Sequence, residues 1–279
     1  MTRLHAAFDR RAMIVGTALL PFTTIAPAGA AGIPTNAAEF GTLFRRMRYR
    51  TDDGVLFWWM TGAKYGQMGN EVKAFHGMEA CAIIRITSTA SGWSTETLEH
   101  IFYTDLETGR PLKTVTNPFT GESIEYKRTP ARPFTLHYNS DASFELPSEI
   151  GGAKFDSDRN KAILAVNGDE IWISDDATTT LTPADGVPVH SADWSTFRCK
   201  TTDLSNATEA FVPASLHLQT ISGWQSWMKM DGQPGGLLSR IVGAKVASFD
   251  EVPETWRALL AEAHPDIARD PIGSLGPQG

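Results

Sequence analysis

Cysteine is almost missing from this chain: there are two in 279 residues, Cys81 and Cys199. That excludes a disulfide framework, and neither thiol has the neighbouring His or Gly pattern of a catalytic cysteine. Ala80-Cys81-Ala82-Ile83 and Phe197-Arg198-Cys199-Lys200 are strand-like runs in which each Cys reads as a small buried hydrophobe. Basic charge is also in deficit. Lys and Arg number 25 against 32 Asp and Glu, a net charge of −7, which excludes a nucleic-acid partner held by phosphate neutralisation. No Gly-x-Gly-x-x-Gly follows a strand, and the phosphate-cradling Gly-Lys-Ser/Thr loop and the Gly-x-Ser-x-Gly elbow are missing too. No cofactor is therefore expected. The histidines beyond the N-terminus are His76, His100, His137, His190, His217 and His264. None forms an i, i+2 or i, i+4 pair, so no metal centre is expected. No run after the N-terminus is long and apolar enough for a transmembrane anchor.

The N-terminus reads as an address. Arg10-Arg11 precede a mildly apolar stretch over residues 12–20, then Pro21 and the small-residue run Ala26-Pro27-Ala28-Gly29-Ala30. Charge, apolar run and an Ala28-x-Ala30 cleavage site come in the order of a secretory signal. The paired arginines resemble the twin-arginine export signal of bacteria. Residues 1–30 are thus expected to be an export signal peptide and 31–36 a linker. The partner is then the twin-arginine export machinery, and the destination is periplasmic or secreted. Such substrates cross the membrane already folded, which agrees with a fold that needs no disulfide.

Aromatics are abundant: 8 Trp, 14 Phe and 5 Tyr. Asn36-Ala37-Ala38-Glu39 is a helix-capping pattern, and Phe40, Leu43, Phe44 and Met47 make one apolar helix face. The helical period then vanishes. Apolar or alternating runs take its place over residues 55–60, 81–87, 98–104, 112–115, 123–126, 162–166, 170–174, 195–201 and 215–221. Asn167-Gly168 between two of them marks a hairpin. Helical spacing returns with Trp256, Leu259, Leu260 and Ala263, before Pro265 as a stop. Its start is ambiguous between a Ser248/Glu251 capping box and Pro253. The expected fold is mainly β: a single antiparallel β-barrel or strongly curved sheet over residues 37–269, with a short N-terminal helix, a C-terminal helix and a flexible tail over 270–279. A two-domain division near Gly151-Gly152 is the alternative.

Two turns, Tyr103-Thr104-Asp105-Leu106-Glu107-Thr108-Gly109 and Asn117-Pro118-Phe119-Thr120-Gly121, each open on an Asx residue and close on Gly. Later come Gly223-Trp224-Gln225-Ser226-Trp227-Met228-Lys229-Met230 and Gly243-Ala244-Lys245. In order and spacing these segments resemble the bacterial family called domain of unknown function 1838, over roughly residues 40–271. Members show a Tyr-x-Asp-x-x-Thr-Gly turn, an Asn-Pro-x-Thr-Gly turn, a Trp-x-x-Trp-Met segment and a Gly-x-Lys. After the second turn the family tends to a His-x-x-Asn-Asp-Pro segment, where this chain has Lys127-Arg128-Thr129-Pro130-Ala131-Arg132-Pro133. The resemblance implies a fold family and says little of activity.

The candidate catalytic residues are Tyr103, Arg85 and His217. Tyr103 is either a packed strand residue or a general acid or base. Arg85, between isoleucines, is either an exterior Arg whose head reaches water or a lumen Arg that orients a carboxylate or carbonyl. His217 shares with Gln219 a strand face that points to solvent or to a pocket. Asp105 and Asn117 read as turn caps. Trp58, Trp224, Trp227, Met228 and Lys229 are the candidate ligand-binding residues. The Trp and Met side chains form either a core plug or an adaptable wall over a ligand. The expectation is an exported β-barrel binding a small lipophilic or aromatic molecule. As an enzyme it would be a cofactor-independent lyase or isomerase working by proton transfer. A non-catalytic carrier and a structural partner in an envelope complex are the alternatives. Polar residues converging in a cavity favour the enzyme, a wholly apolar cavity the carrier, and a filled interior with an exposed aromatic patch the scaffold.

Overall fold

The computed structural model describes residues 34, 36–126, 133–145, 149–150, 153–159, 162–182 and 188–276. The expected signal peptide and residues 127–132 lie outside these. Helix α1 (Ala37–Arg48) opens as expected, with the Asn36 side chain accepting from the Glu39 backbone N–H at 3.0 Å. Strands β1 (Gly54–Met68), β2 (Glu71–Ser88) and β3 (Gly92–Thr104) follow as a meander, then the separate hairpin β4 (Thr114–Thr116) and β5 (Ser123–Glu125). β6 (Phe134–Asn139) and β7 (Phe144–Glu145) add to the free side of β3. The chain resumes with β8 (Glu149–Ile150), β9 (Ala153–Arg159), β10 (Ile163–Asn167), β11 (Glu170–Thr182), β12 (Val189–Lys200), β13 (Ser215–Ser222) and β14 (Gly236–Val246). Helices α2 (Thr201–Leu204), α3 (Glu254–Ala263) and α4 (Pro265–Arg269) complete the described elements.

Twelve strands form one antiparallel sheet in the order β7-β6-β3-β2-β1-β14-β13-β12-β11-β9-β8, with β10 paired to β11. Laid flat, eleven strands in a row would hold the two edges roughly 48 Å apart. Yet β7 ends at Glu145 and β8, on the opposite edge, begins at Glu149. The covalent chain between them reaches no more than about 14 Å. The sheet must therefore curl until its edges approach, and it is a half-barrel. The expected β-class fold is what the chain adopts, and one sheet spans the point near Gly151-Gly152.

Both faces of this sheet are covered in part. The concave face packs Leu56, Trp58, Met60, Met78, Ala80, Ala82 and Ile84 around Leu43, Phe44 and Met47 of α1. The convex face of β1–β3 packs Phe57, Cys81, Ile83, Leu98 and Phe102 against Trp256, Leu260 and Leu275. Cys81 and Cys199 are buried and unbonded, one in each of these cores. Among the described residues no helix is long and apolar enough to cross a membrane.

Local signals were shifted in three places. The hairpin loop is Gly168-Asp169, with Gly168 at φ 62° and Asn167 already paired to Glu170. Ser248 and Glu251 do bond, at 3.0 Å, but across a 3-10 turn (Phe249–Glu251); Pro253 stands before the first turn of α3. Pro265 does not only stop α3; it opens α4, where its missing N–H costs nothing. The tail expected to be loose from residue 270 is anchored as far as Gly276. Asp270 accepts from the Gly273 N–H, Leu275 is buried, and Arg85 donates to the carbonyls of Ile272 and Gly276 at 3.3 and 3.1 Å.

Candidate functional site

The three residues singled out for chemistry do not converge. Tyr103 points into the concave face beside His76, with ring centroids 4.6 Å apart. Arg85 lies on the convex face with Cys81 and Ile83, paired to Glu96 at 2.5 Å and pinning the tail. His217 is exposed on the outer face of β13, since its neighbours Leu216 and Leu218 face the concave core.

The proposed wall divides similarly. Trp58 is buried in the core, its Nε1 donating to the Arg48 carbonyl at 2.8 Å where α1 ends. Met228 is fully buried in a small core with Phe75, Val115, Ile124, Met230 and Leu237. Trp224 and Trp227 are half-buried at its rim, Trp224 edge-on to Phe119 and Trp227 against Tyr126 with centroids 4.7 Å apart. Lys229 is exposed, left-handed at φ 55°, and 3.5 Å from Glu122.

The recurring turns act as braces for this end of the half-barrel. Asp105 Oδ1 accepts from the N–H groups of Glu107 and Thr108, as an Asx cap does. Asn117 is wholly buried. Its Oδ1 accepts from the Phe119 N–H at 2.9 Å while its Nδ2 donates to the Met228 carbonyl at 3.2 Å. One side chain thereby ties the second turn to the Trp-x-x-Trp-Met segment. Gly243 has no space for a Cβ, which would meet the Trp59 carbonyl oxygen at 2.6 Å. Lys245 is buried, and its Nζ donates to the Arg46 and Tyr49 carbonyls at 2.6 and 2.7 Å. Burial pulls its ammonium down to about 7.

Register shows a polar row that single strands conceal. His76 of β2, Lys64 of β1, Ser239 of β14, Thr220 of β13 and Asp193 of β12 stand opposite one another in successive pairs. Glu99 of β3 shares the concave face, since its partner Ala82 does. Flat, β3 and β12 would be about 24 Å apart; in the curled sheet Glu99 feels both Lys64 and Asp193. Glu99 is open to solvent, yet the surrounding half-barrel desolvates its carboxyl and lifts its pKa; Lys64 opposes that lift and Asp193 adds to it. Desolvation lifts the Asp193 carboxyl as well, against the pull of Lys64. Among the described residues none of the three has a salt bridge or a side-chain hydrogen bond; the Lys64 ammonium lies over the Tyr103 ring, 5.4 Å from its centre. Arg48, which α1 brings inside, is already paired with Asp175 at 2.6 Å.

An aromatic panel rises beside this row. A bulge in β2 at Phe75 sets His76 opposite Lys64. Burial pulls the His76 imidazole down to about 4, so it is neutral. Its Nδ1 is 2.9 Å from the Gly77 carbonyl, which can only accept, so Nδ1 carries the proton. Nε2 then accepts from the Tyr126 hydroxyl at 3.3 Å. Tyr126 lies against Tyr103, with ring centroids 4.1 Å apart. Burial, with the neighbouring Tyr103 phenol, keeps Tyr126 protonated well above the usual phenol range. Sequence reasoning found Tyr103 and Trp227 of this assembly but missed Lys64, His76, Glu99, Asp193 and Tyr126. The available signal was charge on alternating strands next to apolar runs, which resembles an ordinary solvent face.

No curated protein matches this chain. The family model described as "Protein of unknown function (DUF1838)" matches residues 53–276, from the start of β1 to the anchored tail, and the chain belongs to that family.

Proposed function

We propose that the half-barrel is a receptacle for a small ring-bearing organic molecule. The molecule lies on the concave face above α1, its ring against Tyr103, Tyr126 and Trp227 and its polar end among Lys64, Glu99 and Asp193. The observation that carries this reading is the set of three ionisable side chains from distant strands that share one concave space without ion-pair partners. Asp193 is partly buried and unpaired, which is costly, and a ligand that completes the three groups recovers part of that cost. A saturable environment-sensitive dye tests it. Nile red, a neutral dye, should bind the folded protein at one site, and Trp227→Ala and Lys64→Met should each weaken it. Unsaturable binding, or binding untouched by both variants, overturns the receptacle.

A catalytic reading is favoured by the raised carboxyl of Glu99, a group suited to moving a proton without a cofactor. We also propose that the protein is exported in folded form by the twin-arginine route, from the order of charge, apolar run and small residues in its first thirty residues. Changing Arg10 and Arg11 to Lys should abolish periplasmic accumulation; unchanged yield removes that route.

A further inference from the structure

The convex face of the sheet is shielded unevenly. Helix α3 and the anchored tail pack against β1–β3. Among the described residues none of the hydrophobic clusters extends over the same face of β11–β14. Three large hydrophobics are left open there on adjacent strands: Trp194 of β12, Ile221 of β13 and Val242 of β14, at 39, 44 and 47% exposure. They point outward because Phe197, Leu218 and Ile241, each an odd number of residues away, face the concave core. The register adds charge to this surface. Arg240, Gln219, Trp194 and Asp176 stand opposite one another in successive pairs across β14, β13, β12 and β11. Asp176 shares the outer face because Asp175 turns inward to Arg48. One row thus carries a cation at one end, a carboxylate at the other and an exposed Trp between them. Among the described residues neither Arg240 nor Asp176 has a salt bridge or a side-chain hydrogen bond.

We propose that a second copy of the chain docks on this face, around a two-fold axis that runs along the strands between β12 and β13. Such an axis exchanges β13 with β12 and β14 with β11 while keeping each row in place. Arg240 of each copy then meets Asp176 of the other, and Trp194 meets Gln219. The flanking rows, Leu238-Ile221-Ala192-Thr178 and Val242-His217-Thr196-Ser174, bring no like charges together. A two-fold running across the strands along the charged row would instead stack Arg240 on Arg240 and Asp176 on Asp176, so charge selects the first axis. Two convex faces touch most closely along a line, here β12 and β13. They diverge toward β11 and β14, where the long Arg240 side chain spans the gap. Four strands about 4.8 Å apart give a patch roughly 20 Å wide. That is small for a specific interface, so the association is weak and concentration-dependent.

Sedimentation velocity of the full mature chain, from about 1 to about 200 μM as a weak interface requires, should show a monomer–dimer equilibrium. Arg240→Asp and Asp176→Arg each place like charges face to face and should weaken association at least about tenfold. Arg240 is exposed and Asp176 half-exposed, so each variant should remain folded. Mixing the two single variants is the decisive arm. Opposite charges then meet at both contacts only between unlike chains, so dimers should return, as heterodimers, at near wild-type strength. Three results would overturn the interface: a wild-type chain that stays monomeric at the top concentration, a dimer that both charge variants leave intact, or a mixture that does not restore association.

Discussion

The Nζ of Lys245 stands 2.7 Å from the carbonyl oxygen of Tyr49, so a lysine from β14 closes the last turn of α1 from inside the protein. A cation at a helix C-terminus opposes the negative end of the helix and satisfies carbonyls that have no N–H partner. Here it does so in the core, at the price of desolvation.

That arrangement has a pH signature. The folded value for Lys245 is about 7, against 10.5 in the unfolded chain. Between those values the unfolded state binds the extra proton, so stability rises with pH across that window. The difference between the two values corresponds to an increment of roughly 5 kcal/mol. Urea midpoints measured from pH 7 to 10 should climb in the wild type, and Lys245→Met should remove the climb.

His76 sets the acid limb. Its folded value of about 4 lies below the usual 6.5. Its contribution is complete above pH 6.5 and is lost as pH falls toward 4, about 3 kcal/mol in all. Acid titration of stability should be shallower in His76→Gln than in the wild type. The same slope in both would mean that His76 is not buried neutral.

Neighbours in one segment should behave differently. Met228 is fully buried, whereas Trp227 lies half-open on Tyr126. Met228→Ala should cost about 2–5 kcal/mol, while Trp227→Ala should cost clearly less and mainly weaken dye binding. Thermal melts and dye titrations of both variants check the split.

Arg85 is expected to hold the tail. It is buried, bonded to Glu96, Ile272 and Gly276. Arg85→Met should leave residues 270–276 open to carboxypeptidase and hydrogen exchange, with binding in the lumen unchanged. Protection equal to the wild type would assign the anchoring to Leu275 alone.

Much of the frame was legible in the sequence because local chemistry decides it. Asn36 caps its helix, Asp105 and Asn117 fold their own turns, and β3 alternates Leu98, His100 and Phe102 against Glu99, Ile101 and Tyr103. The side taken by Arg85 was not legible. α1 covers one face of β2 and α3 the other, so both read as apolar and period two no longer distinguishes inside from outside. Nor was the polar row. Lys64 and Asp193 become near neighbours only through the register of four strands and the curl of the sheet, and neither leaves a mark within a window of a few residues.

The pairing of β1 with β14 also governs how the protein is made. Phe57 lies against Val246, and the register continues to Gln67 against Gly236. The middle of the sheet thus joins the first strand synthesised to the last. Contacts this remote in sequence close slowly, and none of them exists until β14 has left the ribosome. Until then one edge of β1, including the run Leu56-Phe57-Trp58-Trp59-Met60, stands unpaired. A chain stalled or clipped before residue 236 is therefore not a half-barrel short of one strand. It is a sticky-edged fragment, destined for chaperones or aggregation.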